Sequence, residues 1–545
     1  MTLHHSRESK PKRLRQTAKY VHNGGRFDVM KISRHLIVDG ESINAVFLSD
    51  FSFLLARTGH NILRFSARIG YLFAVNLYGI EDNIAVQMHG TKVSMERLLL
   101  QSLIEWNQRT RRKPLMIYGA RQVGKTYLIQ ELFANRFYPG KTIYVNFKFD
   151  DDMRCFVNGE GAYRTPTSNA QKILDHLSLR ENRAIDESIL LIFDEIQEAL
   201  PAITSLKDFK ERFPSLHVIA SGSLVRIKLH RHNRGKEKFF YPVGALEELT
   251  LMPMNFEEYL ISANKALYQR IVDAYCHKKA LDDSAHVLAL DYLQDYLLVG
   301  SLPESIAIFL ESKSHVASRR NLVTVYQDYL NDIDLYDVGV ETALRTRKLF
   351  ENLYMEINRP HGDFRPSLFD EGKKVRDYIT PISLLSLAEV TYTCKMTKQR
   401  VTIPLKEDDG SNYRIYCLDT GFLAYQSGIN MADFRSGNNV NMGAFFENYI
   451  ACELASYGVD LFYWKGKNDA EFEFLVKKGN AIIPIDVKRK RGSLASAKGY
   501  SSHNEPHMFV KVSANRYGYD ETTKVCTIPL YSFFLFAKEL DGRFS

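Results

Sequence analysis

The chain has 545 residues, 45% of them hydrophobic and 25% charged, with a formal net charge of +8. That length is too great for one core and predicts two to four domains of ordinary globular composition. The six cysteines, Cys155, Cys276, Cys394, Cys417, Cys452 and Cys526, include no C-x-x-C spacing. This argues against a structural zinc site and a disulfide framework and fits a reducing cytoplasm. Cys276-His277 is an isolated pair.

Residues 1–92 carry thirteen Lys/Arg against seven Asp/Glu, a net +6 that leaves +2 for the rest. Basicity therefore belongs mainly to the first segment. The apolar stretch from Ala45 to Ile80 is broken by Asp50, Arg57, His60, Arg64 and Arg68, so it lacks the ~18 uninterrupted apolar residues of a membrane span. No signal core with a cleavage site follows the basic start. No membrane partner is expected. From Ser94 the text becomes Ser-Met-Glu-Arg-Leu-Leu-Leu-Gln-Ser-Leu-Ile-Glu-Trp, a capped amphipathic helix by its spacing. Two expectations follow for residues 1–92: either translation starts near Met95, or the segment is a poorly ordered basic extension.

Pro114-Leu-Met-Ile-Tyr118 reads as a buried parallel strand, Gly119-Ala120-Arg121-Gln122-Val123-Gly124-Lys125-Thr126 as a phosphate-binding loop, and Tyr127 to Phe133 as the helix that follows. The glycines let backbone N–H groups turn toward phosphate oxygens, and the helix N-terminus adds its dipole. Lys125 is expected on the β- and γ-phosphates and the Thr126 hydroxyl on Mg²⁺. Ile189-Leu-Leu-Ile-Phe193 is a second apolar strand, closed by Asp194 and Glu195. Asp194 would complete the Mg²⁺ shell and Glu195 would orient and polarise the attacking water. Two further strands are expected at Thr142–Phe147 and Leu216–Ala220. Ser221, after the latter, is a candidate γ-phosphate sensor, with a plain Ser-Gly turn as the alternative. ATP and Mg²⁺ are the cofactors this pattern calls for.

These motifs, with Phe193-Asp-Glu-Ile-Gln197, Ser221-Gly-Ser223 and Tyr241-Pro-Val-Gly-Ala-Leu-Glu-Glu-Leu-Thr-Leu-Met-Pro-Met-Asn-Phe-Glu-Glu-Tyr259, resemble prokaryotic AAA-type (AAA+) P-loop ATPases that carry a C-terminal domain of unknown function. The resemblance runs from about residue 95 to the C-terminus and implies ATP binding. Because the wider class hydrolyses ATP between subunits with an arginine finger in trans, it also implies a homo-oligomer. Arg226 and Arg234 are the finger candidates nearest the sensor strand, while Arg121 is expected to face the nucleotide or a neighbouring acid. The basic run from Arg226 to Lys238 reads as a solvated loop, with phosphate-backbone contact as the alternative. No aromatic residue interleaves it.

Residues 261–330 have helical spacing with a turn near Gly300-Ser-Leu-Pro303 and are expected to form a helical lid. Residues 331–435 mix helices and short strands, and Tyr413 to Gly421 reads as a strand closed by a turn. By resemblance this region is winged-helix-like, a fold that binds DNA in some proteins and only spaces domains in others.

Near the end, Asn441 to Leu454 reads as a helix, and Leu461–Trp464, Glu471–Val476 and Ala481–Lys488 as strands, the last two joined by a tight turn. Alternation puts Glu471 and Glu473 on one face, and Asp486 and Lys488 on one face. Glu473, Asp486 and Lys488 can then converge, with Glu447 approaching from the helix. Carboxylates plus a lysine suit Mg²⁺-assisted phosphodiester hydrolysis. The arrangement is similar to the PD-(D/E)XK nuclease-like fold. Both acids depart from the usual lengths there, Glu473 standing for an aspartate and Asp486 for a glutamate.

The expected fold class is α/β: a P-loop parallel sheet (93–260), a helical lid (261–330), a winged-helix-like region (331–435) and a restriction-endonuclease-like C-terminal domain (436–545). Two functions compete. One is a Mg²⁺-dependent ATPase acting on DNA through its C-terminal half. The other is a nucleotide-dependent switch whose C-terminal domain only binds a partner. A small-molecule kinase is disfavoured, because about 285 residues follow the ATPase core.

Overall fold

The computed structural model describes residues 95–540 apart from 150–156, 159–164, 233–240, 335, 337, 360–362, 410–411, 437–440, 468–469 and 489–494, and before residue 95 only the backbone of seven strands. The chain folds as two units, Met1–Lys92 and Val93–Ser545. In the first, Ile32–Val38, Glu41–Phe47, Phe53–Thr58 and Asn61–Ser66 pair successively as antiparallel neighbours. Nothing in the hydrophobic pattern of residues 1–92 announces these strands. Ser94, Cys155, Arg234 and the basic run beyond Lys488 lie outside the described residues.

The second unit opens with a helix at Leu99–Gln108, which has no side-chain N-cap of its own. The Glu258 carboxylate serves instead, accepting from Leu98 N at 2.6 Å. The cap is thus tertiary, which a local pattern could not give.

Five strands then form one parallel sheet: β1 (Leu115–Tyr118), β2 (Thr142–Asn146), β3 (Leu190–Asp194), β4 (His217–Ser221) and β5 (Glu247–Thr250), in the order β5-β1-β4-β3-β2. β1 and β3 are buried along their whole length, as strands covered on both faces must be. Alternation divides them between two cores. Leu115, Ile117, Leu190 and Ile192 pack on one face, and Met116, Tyr118, Leu191 and Phe193 on the other.

The first of these cores continues through the helices Phe256–Ala263, Lys265–Cys276, Asp283–Val299, Pro303–Ser312 and His315–Asp334 into the C-terminal half. Phe256, Tyr296 and Tyr449 meet there with ring centroids 5.5–6.2 Å apart. Gly300 turns between two of these helices at φ +84°, and a Cβ there would stand 2.5 Å from Asp419 Oδ1. Only glycine tolerates both. Asp419 accepts from Ser301 N and Oγ and from Phe422 N. It therefore starts a helix, Thr420–Gln426, where the sequence reading has a simple turn.

The C-terminal sheet has eight strands: β6 (Thr391–Met396), β7 (Tyr413–Cys417), β8 (Phe462–Lys465), β9 (Glu471–Lys478), β10 (Ala481–Val487), β11 (Phe509–Ser513), β12 (Gly518–Asp520) and β13 (Val525–Pro529). Their order is β7-β6-β8-β9-β10-β11-β13-β12. The antiparallel pair β6–β7, preceded by the helices Val340–Glu351, Leu353–Ile357 and Ile379–Leu387, is the part read as winged-helix-like. β6 also pairs in parallel with β8, so this region and the C-terminal segment share one sheet.

Candidate functional site

The loop after β1 is set by backbone chemistry. Gly119 lies at φ +148°, where a Cβ would meet Leu251 O at 2.4 Å. Ala120 and Val123 are buried in the core and hold the loop down. Arg121 and Gln122 point the other way, onto the His315–Asp334 helix. Arg121 Nε lies 2.9 Å from Asp332, Gln122 Nε2 donates to Asp328 at 3.0 Å, and Tyr329 OH donates to Arg121 O at 2.6 Å. Gln122 is left-handed, at φ +60°. Arg97 grips the loop from behind, donating to Val123 O and to Met252 O.

Lys125 is buried and donates to Gly119 O and Ala120 O, both at 2.8 Å. Burial lowers its pKa to about 8, against the opposing pull of Glu195, Glu389 and Asp194. The segment Tyr127–Ala134 is a helix as expected, wound as a π-helix.

Asp194, at the end of β3, gathers the rest. Its Oδ2 accepts from Thr126 Oγ1 at 2.8 Å and Tyr144 OH at 2.8 Å, and its Oδ1 from Ser221 Oγ at 2.6 Å. β3 lies between β2 and β4 in the sheet, so both neighbours deliver a hydroxyl to the same carboxylate. Thr126 and Asp194 are hard oxygen donors in contact, a set that fits Mg²⁺. Glu195 sits at φ +53°, a left-handed conformation that costs a non-glycine residue about 1 kcal/mol or more. Its Oε1 is 2.6 Å from Lys148 Nζ, and its Oε2 accepts from Gln197 Nε2 at 2.6 Å. Burial raises its pKa, but the bonds from Lys148 and Gln197 outweigh that, and the net shift is downward.

Arg226 is engaged within its own chain. It lies 4.3 Å over the Tyr118 ring, donates to Thr250 Oγ1 at 3.2 Å and pairs with Glu389.

In the C-terminal sheet the β9–β10 hairpin brings Glu473, Asp486 and Lys488 together. Lys488 Nζ is 2.8 Å from Asp486 Oδ1 and 3.4 Å from Glu473 Oε1, and Val487 N donates to Glu473. Burial pushes both carboxyls above their usual range, and for Glu473 the nearby Asp486 adds to it. Burial opposes the charge on Lys488, but the two carboxylates prevail and raise it.

Glu447 and Glu471 are held instead by Arg414. The nearly fully buried guanidinium lies 3.2 Å from Glu447 Oε1 and 2.6 Å from Glu471 Oε2, and 4.5 Å over the Tyr463 ring. Tyr416 OH also donates to Glu447. The cavity here, lined by Glu356, Arg359, Arg414, Tyr416, Glu447 and Glu471, is about 30 Å³, room for a water and not for a phosphodiester. Among the described residues, no three His, Cys, Asp or Glu side chains are grouped to hold a metal ion. Arg414 takes up Glu447 and Glu471, so these two acids stand apart from Glu473 and Asp486, which keep Lys488 beside them.

Sequence reasoning missed Arg97, Tyr144, Lys148, Glu389 and Arg414. Each acts across a long stretch of chain, and none belongs to a local motif.

Comparison with known proteins places this geometry. Residues 111–260 match a family described as an AAA domain. Residues 290–433 and 442–531 match two domains of unknown function, DUF8612 and DUF4143. No curated protein matches the chain. Among solved structures, the chain is similar to the Walker-type ATPase PABY2304 of Pyrococcus abyssi, at 13% identity over 60% of this chain and 94% of that one, with a TM-score of 0.36. It is also similar to Drosophila ORC bound to DNA, at 13% identity over 63% and 95% with a TM-score of 0.23. Both TM-scores are below 0.5, so the class rests on the AAA-domain match and the site itself. They place an AAA domain at residues 111–260, the stretch that holds the P-loop and the Asp194–Glu195 pair.

Proposed function

We propose that this chain binds ATP with Mg²⁺, hydrolyses it, and uses the nucleotide state to set the conformation of a C-terminal half that binds a partner. The observation that carries hydrolysis is the Asp194–Glu195 pair. Asp194 is bonded to the loop threonine and the sensor serine at once, and Glu195 is held beside it, ionised, by Lys148 and Gln197. In this reading Lys125 holds the β- and γ-phosphates, Thr126 and Asp194 hold Mg²⁺, Glu195 orients the attacking water, and Ser221 senses the terminal phosphate. Mg²⁺ bound there would offset phosphate charge. Hydrolysis between the subunits of a homo-oligomer fits the class, although Arg226 is engaged within its own chain.

The C-terminal half serves here as a binding platform, because Arg414 and Lys488 neutralise its acids. A second reading, a Mg²⁺-dependent nuclease acting on DNA, is favoured by the convergence of Glu473, Asp486 and Lys488. Incubating linear and circular DNA with purified protein and Mg²⁺ or Mn²⁺, with and without ATP, separates the two. The platform reading expects intact DNA throughout, whereas cleavage that disappears in Lys488→Ala would overturn it. A cytoplasmic setting is in keeping with five unpaired cysteines among the described residues and with no described helix long and apolar enough to cross a membrane.

A further inference from the structure

One carboxylate near the phosphate loop belongs to neither the loop nor the Asp194–Glu195 pair. Glu389 lies in the turn between the Ile379–Leu387 helix and β6, about 260 residues along the chain from Lys125. Its backbone is left-handed, at φ +61°, a strained setting for a residue with a side chain. The turn is fixed by Glu389 N donating to Ser386 O at 3.0 Å. The side chain is only 11% exposed and pairs with Arg226, while its second oxygen, Oε2, is buried with no hydrogen-bond partner. A buried unpaired carboxylate oxygen is costly. A strained backbone and a buried oxygen without a hydrogen-bond partner in one residue mark a conformation held in place by its surroundings.

Those surroundings are cationic. Arg226 is fixed against Tyr118, the last residue of β1, and against Thr250, the last of β5. The Glu389 carboxylate also favours the charged form of Lys125. The phosphate-loop lysine and a neighbouring arginine are the partners that a terminal phosphate would itself seek. An anion supplied by the chain already stands at the arginine.

We propose that Glu389 is a sensor of nucleotide state: its carboxylate stands at Arg226, beside the end of β1 that leads into the phosphate loop, and yields to the terminal phosphate of ATP. Release relaxes the left-handed turn. That turn runs directly into β6, which pairs with β7 and β8 in the C-terminal sheet. Occupancy of the terminal phosphate is thereby transmitted to the sheet that carries Arg414 on β7 and Glu471 on β9. ADP, lacking that phosphate, leaves Glu389 in place. The difference between the two nucleotides supplies the free energy that shifts the turn.

This inference rests on ATP binding at Gly119–Thr126, and the experiment separates the two. Glu389→Gln keeps the size of the side chain and removes its charge. Affinities for ADP and for an ATP analogue with a non-hydrolysable β–γ bond are measured for both proteins. Amide hydrogen exchange of residues 386–391 is followed in the wild type with each nucleotide. The expected result is at least a ~5-fold gain in affinity for the ATP analogue, with ADP changed less than ~2-fold. Exchange at 386–391 should change with the ATP analogue and not with ADP. Equal effects on both nucleotides, or exchange at 386–391 unmoved by a bound ATP analogue, would overturn the sensor while leaving the nucleotide site intact. No binding of either nucleotide would overturn both. Should Glu389→Gln fail to fold, exchange in the wild type alone decides.

Discussion

Lys125 gives the site a pH dependence that can be worked out in advance. Burial lowers its pKa to about 8, below the ordinary 10.5. Phosphate oxygens at hydrogen-bond distance restore the charged form, so the pKa is higher in the complex than in the free protein. ATP binding must then take up a proton wherever the free lysine is neutral. Below pH 7 the lysine is already charged and affinity is flat. Above pH 8, affinity falls by up to about tenfold per pH unit, or ~1.4 kcal/mol, until the bound lysine also titrates. At pH 9 only about a tenth of the free protein carries the charge, so binding there should be roughly tenfold weaker than at pH 7. Titration calorimetry at pH 7 and pH 9, in buffers of different ionisation enthalpy, measures both the affinity and the proton uptake, which should approach one proton per ATP at pH 9. Lys125→Ala should lose about 10- to 150-fold in affinity, the worth of a charged hydrogen bond, and show no uptake. Equal affinity at pH 7 and pH 9, with the fold intact by circular dichroism, would refute the assignment of Lys125 to the phosphates.

Two further predictions concern the joint between the halves. Glu453, on the Met442–Ser456 helix, accepts from Phe256 N at 2.8 Å, and its Oε2 is buried without a partner. Burial, then repulsion from Glu257 and Glu258, raises its pKa to about 8. Because the unfolded chain gives up this proton first, folding stability falls as pH climbs from about 4.5 to about 8. Glu453→Gln should therefore be more stable than wild type by about 2–4 kcal/mol at pH 8 and nearly equal at pH 5 in urea denaturation, and a gap that does not change with pH would count against this. Gly300→Ala sets a Cβ against Asp419 at φ +84°, and should cost about 3 kcal/mol and lower the melting temperature by several degrees; an unchanged melting temperature would mean the turn is not tight.

Much of the nucleotide site is legible in sequence because its parts are local. A loop with two glycines, a lysine and a threonine needs only eight consecutive residues, and β1 and β3 are continuous apolar runs because both faces are covered. β5 is not legible in that way, since Glu247–Thr250 is a short edge strand, half-exposed, with two acids. The hairpin of Glu473, Asp486 and Lys488 follows from strand alternation and a two-residue turn. What alternation cannot give is the counter-charge. Tyr144 reaches Asp194 from 50 residues away, and Arg226 meets Glu389 across 163. Arg414 stands among the acids because β6 and β7 join the C-terminal sheet through β8, a pairing no local pattern encodes. For Glu447 and Glu471 the sequence therefore shows the acids and hides the arginine that pairs with them, whereas Lys488 is legible beside Glu473 and Asp486.

The most direct test of the central claim compares ATP binding and turnover, with Mg²⁺, in the wild type and in Glu195→Gln. The substitution removes the carboxylate charge beside Asp194 and leaves Lys125, Thr126 and Asp194 in place. ATP affinity within about twofold of wild type, with turnover reduced by roughly 100-fold or more, is the result expected of a residue that orients the attacking water. Undiminished turnover in that variant would contradict the account and remove Glu195 from its assigned role.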